Sequence, residues 1–168
     1  MIKPLEPPHT HHLNAAQGWL LFGKPGEAAV ELDRIEPAMR AHPDVLEVRY
    51  EIHALRHDWA GCFAITQQVL LQVPERAFGW IHGAYAVRRM PGGGLAAAFE
   101  ALIPAATMCP QEPVVFFNLA CYACQLGRLD EAIGWLRQAV KASSRTRIIE
   151  MARNDDDPEP LRGRLAEL

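Results

Sequence analysis

Cys121 and Cys124, in the stretch CYACQLG (121–127), have the spacing of a redox or zinc-binding pair. A C-x-x-C does redox chemistry when a helix N-terminus or a basic neighbour lowers the pKa of one thiol. It binds zinc when two further ligands complete a tetrahedron. The surrounding pattern favours neither. Apolar residues at Phe116, Leu119, Ala120 and Ala123 read as a helix core stripe. Both cysteines then share another face in the middle and late part of that helix, where the helix dipole disfavours a thiolate. No second C-x-x-C or partner pair exists to complete a zinc site. Cysteine is also a small hydrophobe, so packing or the lining of a surface is the expected role.

The other chemically suggestive residues resolve in the same way. His53 and His57 are four residues apart with Glu51 nearby, but there is no H-E-x-x-H, and Asp58 reads as the cap of the next helix. His9, His11 and His12 fall beside a Pro-rich leader and are expected to be flexible. Asp155–Asp157 lacks the spacing of a calcium loop and reads as a solvated turn before a last helical segment. Gly92–Gly94 has no following G-K-[ST] and joins two helices, so it is not a phosphate loop. No Ser-His-Asp or Cys-His set has local support. The expectation is a non-enzyme with no metal and no cofactor.

Composition narrows the class. The chain has 168 residues, 49% hydrophobic, with a formal net charge of −3 and a pI near 6.2. Such a chain builds a hydrophobic core and lacks a basic field, so no nucleic-acid partner is expected. No apolar run is long enough to span a bilayer, and the start MIKPLEPPHTHHLN lacks the apolar stretch of a signal peptide. A cytoplasmic location with reduced Cys62, Cys109, Cys121 and Cys124 is the expectation.

The elements that must position these residues repeat. LDEAIGWLRQAVKAS (129–143) overlays LAAAFEALIPAATMC (95–109), with Leu129 on Leu95, Ala132 on Ala98, Leu136 on Leu102 and Ala139 on Ala105, always 34 residues apart. A third copy is WAGCFAITQQVLLQVP (59–74), and a divergent one is GKPGEAAVELDRIEPAMRAHP (23–43). Pro37 and Pro104 each stand six residues before a closing proline. Each copy follows a stretch with apolar residues at three- and four-residue steps, such as Trp80, Ala84 and Val87. Breaks at Gly23–Pro25, Pro43, His57–Asp58, Pro74, Pro91–Gly94, Pro110–Pro113 and Gly127 leave eight helices in four antiparallel pairs. A short helix is expected near 145–153 and a last turn or two near 159–167. In 43–57 the large-residue position is open among Leu46, Val48 and Tyr50.

Helix pairs at this period resemble the tetratricopeptide-repeat (TPR) family. The best copy is 113–146, where Phe116, Leu119, Ala120, Gly127, Ala132, Leu136 and Ala139 match its pattern. The ending NDDDPEPLRGR (154–164) also resembles that of small bacterial proteins of this repeat type. The resemblance implies an all-α right-handed solenoid: a Pro-rich leader (1–8), repeats (9–146), and a C-terminal capping helix with its tail (147–168).

It further implies that the first helices of the pairs line a concave groove for a protein or peptide. The groove positions carry over to Phe78, Ile81, His82, Tyr85, Arg88 and Arg89 in one copy. In the next they fall on Val114, Phe117, Asn118, Cys121, Cys124 and Gln125. In the first copy they fall on Leu13, Asn14, Gln17 and Leu20, with Glu47 and Glu51 as candidates in the second. Asn118 and Asn14 occupy positions where family members hold a ligand main chain. Arg88 and Arg89 suit a carboxylate or phosphate, while the lysines of the carboxylate-clamp subtype are missing. The expected function is a non-catalytic protein-interaction module. A secretion-type chaperone, a self-associating (homodimeric) structural module and a cysteine-based metal or redox site are the alternatives.

Overall fold

The computed structural model describes residues 2–168, and every regular element in them is helical. The α-helices are α1 (His9–Leu21), α2 (Pro25–Asp33), α3 (Pro43–Leu55), α4 (Trp59–Gln72) and α5 (Ala77–Arg89). They continue with α6 (Leu95–Leu102), α7 (Ala105–Met108), α8 (Pro113–Gln125), α9 (Leu129–Ala142) and α10 (Arg145–Asn154). Short 3-10 segments cover Pro37–Met39 and Glu159–Glu167. The chain divides into two compact units, residues 1–74 and 75–168. None of the helices among the described residues is long and apolar enough to cross a membrane.

The helix starts follow from local chemistry. Pro25, Pro43 and Pro113 open α2, α3 and α8, where the missing N–H costs nothing and φ is already helical. Asp58 caps α4 by accepting from the Gly61 N–H at 2.9 Å. Asp58 Oδ2 also meets His53 Nδ1 at 2.7 Å, which engages the histidine in the cap. These two bonds hold the Asp58 carboxyl below the usual carboxylate range, the backbone bond being the larger cause. A lowered carboxylate stabilises the fold fully above its unfolded pKa, about 4, and loses that contribution as pH falls through the folded value. Asp58→Asn is therefore expected to flatten the acid limb of a stability–pH profile measured by urea unfolding.

In three of the four pairs the first helix ends in the same turn, α5 being the exception. The N–H of Lys24 bonds Trp19 O, that of Asp58 bonds His53 O, and that of Arg128 bonds Ala123 O. The bond closes only if the residue before it takes a positive φ. Gly23 (66°) and Gly127 (77°) do so without strain, and the second pair uses His57 at 56°. A side chain in that region costs roughly 1–2 kcal/mol. His57→Gly should therefore raise the stability of the 1–74 unit by about 1 kcal/mol, read from its thermal or urea transition. The packing surrendered is an edge contact of the His57 ring with Trp59 at 5.8 Å.

The repeat positions are the core positions. Ala98, Leu102 and Ala105 are fully buried, and so are their counterparts Ala132, Leu136 and Ala139. The alanines let the two helices of a pair approach, and the leucines fill the space between. Prolines decide which second helices are whole. α4 and α9 run uninterrupted, whereas Pro104 separates α6 from α7 and Pro37 sits in the 3-10 segment that follows α2. Proline removes the N–H that would continue the ladder and clashes with the preceding turn. In α3, Leu46, Val48 and Tyr50 are all buried. Val45, Val48 and Ile52 join the core of the first unit with Leu13 and Leu32.

The leader and the N-terminal histidines are more ordered than the sequence suggests. His9, His11 and His12 lie in α1, where His12 Nδ1 meets Glu31 Oε2 at 2.9 Å and His9 Nε2 lies 3.8 Å from Glu36 Oε2. Buried His42 accepts the Asp44 N–H on Nδ1, so its Nε2 carries the proton and donates to Lys3 O at 3.0 Å. That bond and the packing of Leu5 on the first core tie the leader down.

Candidate functional site

The two best repeat copies bring α5 and α8 side by side in the 75–168 unit, with α6, α7 and α9 behind them. On α5, the Phe78 and His82 rings lie 4.2 Å apart, and burial keeps His82 below its ordinary pKa and hence neutral. One turn on, the Arg89 guanidinium sits 3.4 Å from the Tyr85 ring centroid, and its Nη1 donates to Tyr85 O at 3.3 Å. Tyr85 is 40% exposed. Ile81 is half-buried, and so is Asn118 on α8.

Arg88 is the centre of the face. Its Nη1 donates to Asp157 Oδ2 at 3.2 Å and its Nη2 to Gln125 Oε1 at 2.9 Å. Its Cζ stands 5.8 Å from the Tyr122 ring centroid. One planar guanidinium thus joins α5, α8 and the segment after α10. Because Gln125 Oε1 accepts from Arg88, Gln125 Nε2 must be the outer donor. That atom is buried with no acceptor among the described residues.

The segment after α10 alters the expected groove. Asp157 does lie in a turn, but it also pairs with Arg88, and its N–H bonds Asp155 Oδ1 at 2.9 Å. Pro158 is buried, and Leu161 and Leu165 enter the same core as α8 and α9. Arg164 Nη1 secures the far end on Asp130 at 2.8 Å. Phe117, Cys121 and Cys124, expected on an open face, are each 3% exposed. Phe117 belongs to the core against which Ala77, Trp80 and Ile81 of α5 pack. The cysteines lie under the C-terminal segment, with Asp155 and Asp157 near Cys121 and the Leu161 backbone near Cys124.

The thiols are therefore the reverse of reactive. Burial first, then the Asp155 and Asp157 carboxylates, push Cys121 far above the ordinary thiol range. Burial also raises Cys124, Cys109 and Cys62, the last to about 11. Thiolate is the nucleophile and the metal ligand, and these environments suppress it. Among the described residues, no three or more His, Cys, Asp or Glu side chains gather where a metal ion would bind.

Solved structures of low sequence similarity share the fold. A thermophilic TPR protein of Thermus thermophilus superposes with a TM-score of 0.64 at 15% identity, over 87% of this chain and 82% of its own. This chain has a tetratricopeptide-repeat fold. MamA RS-1, as a double mutant, matches at TM-score 0.63 and 16% identity over 98% of this chain and 92% of its own. A chain of the APC/C hetero-tetramer Cut9-Hcn1 matches at 0.65 and 18% identity over 94% of this chain, and the match spans only 30% of that larger chain. No family model and no curated protein matches the sequence. In the tetratricopeptide-repeat frame, α5 and α8 are first helices of adjacent pairs, and their outer positions carry the side chains described above.

Proposed function

We propose that this chain is a non-catalytic protein-interaction module that takes a segment of a partner protein on the face formed by α5 and α8. The observation that carries the reading is the shared Arg88: its guanidinium holds an amide of α8 and a carboxylate of a non-repeat segment at once. A face that binds one peptide segment in this way has the chemistry to bind another. Phe78, Ile81, His82 and Tyr85 supply apolar and aromatic surface, while Arg88, Arg89, Asn118 and Gln125 supply orientation and register. Protein association in this fold has a precedent in the hetero-tetramer Cut9-Hcn1.

Affinity purification from the native host, comparing wild type with a Tyr85→Ala, Asn118→Ala double variant, tests the reading. A partner recovered with wild type and lost from the variant is expected. An unchanged set of partners, or self-copies alone in both, would overturn it.

A further inference from the structure

We infer that the α5–α8 face is shaped for an acidic segment of another protein running carboxylate, proline, two residues, leucine, and that Asp155–Leu161 of this chain is a displaceable occupant holding the face shut. The inference rests on the reading of this face as a protein-binding surface and names its ligand class.

The chain's own segment shows what the face accepts. Asp157 supplies the carboxylate for Arg88, Pro158 follows directly and is buried, and Leu161 is fully buried in the core behind. The Leu161 N–H bonds Pro158 O at 2.8 Å, so the main chain turns between proline and leucine and sets Leu161 beside Cys124. Cys121 and Cys124 suit such a surface: they are small enough for a backbone to pass close over them and soft enough to pack on leucine.

The occupant fits imperfectly, and that makes it displaceable. Gln125 Nε2 stays buried without an acceptor among the described residues, and a buried unsatisfied donor is costly. A partner that offers an oxygen there gains a bond the tail does not make. The Arg88–Asp157 pair is part-exposed, with 28% and 41% of the two side chains accessible, so solvent weakens it. Beyond Asp155 the one regular element among the described residues is a 3-10 segment, Glu159–Glu167, tied to the rest of the unit by few polar contacts, among them Arg164 with Asp130. Its two buried leucines must offset the entropy of ordering it, which leaves a small margin for docking.

Cysteine reactivity reads the opening directly. Alkylation of the full chain with iodoacetamide, mapped by mass spectrometry, is compared between wild type and Asp157→Arg. Cys121 and Cys124 should react about two- to fivefold faster in the variant, the change that loss of one part-exposed pair would give. Cys109, buried elsewhere in the same unit, should not change. A labelled peptide of residues 153–163 should bind the variant about two- to fivefold tighter than wild type by fluorescence anisotropy. The swap Arg88→Asp with Asp157→Arg should restore protection.

Unchanged Cys121 and Cys124 reactivity would overturn the inference, because the segment would be a permanent part of the core. Reactive cysteines without peptide binding would overturn it too. So would a variant dimer with both cysteines protected, since the occupant would then be the tail of a second copy. If Asp157→Arg also exposes Cys109, the milder Asp157→Asn replaces it under the same criteria. A partner lost from the Tyr85→Ala, Asn118→Ala variant alongside a failed peptide test would leave the interaction module standing and remove only this ligand class.

Discussion

Leu136→Ala should lower the unfolding free energy of the 75–168 unit by about 2–5 kcal/mol. Leu136 is fully buried in the core that α8 and α9 build together. Truncation loses the transfer of its methyl groups and leaves a cavity whose walls relax only in part. Those walls are stiff here. Ala132 and Ala139, one turn before and one turn after, are also fully buried and have no side chain long enough to swing into the gap. Urea unfolding followed by circular dichroism gives the result, with the denaturant slope unchanged. A loss below about 1 kcal/mol would mean that the helices close over the site, contrary to the packing described. Arg137→Ala, next along the chain and exposed, is the control and should stay within about 0.5 kcal/mol.

Gly93→Ala is the second large effect, expected at about 1–3 kcal/mol. A methyl group on Gly93 would collide with the backbone oxygen of Val87 and press on Met90 O at 3.1 Å. The loop folds back on the end of α5 here: the Gly93 N–H bonds Met90 O at 3.0 Å and the Gly94 N–H bonds Val87 O at 3.4 Å. Relief requires the loop to lift, which breaks the second bond and uncaps the helix. Val87 O is backbone, so no side-chain rotation absorbs the clash. Thermal unfolding monitored at 222 nm would show the loss, and an unchanged midpoint would show that the loop takes another path.

Much of this was open to reading from residues alone. The Gly127, His57 and Gly23 turns, the proline starts and the Asp58 cap are local events, decided within five or six residues. The equivalence of Ala98, Leu102 and Ala105 with Ala132, Leu136 and Ala139 appears as a 34-residue offset because one packing problem is solved twice. The interrupting effect of Pro104 was legible in principle, since its missing N–H is a covalent fact. The order of His9, His11 and His12 was not, because it depends on Glu31 and Glu36 arriving from the next helix and the turn beyond it.

The face of α5 and α8 marks the boundary between the two kinds of knowledge. Sequence by itself determined which side chains stand on the outer positions of those helices, since a 3.6-residue period places them wherever the helix forms. Only the tertiary structure decided which of them meet solvent. Arg88 and Asp157 are separated by 69 residues, and although the ending NDDDPEPLRGR resembles that of other repeat proteins and reads as a cap, nothing in it names Arg88 as the partner of Asp157. Its position is set by two leucines finding space behind α8 and a carboxylate finding a guanidinium. Burial and pairing of that kind are properties of the assembled surface, and no local stretch of residues encodes them.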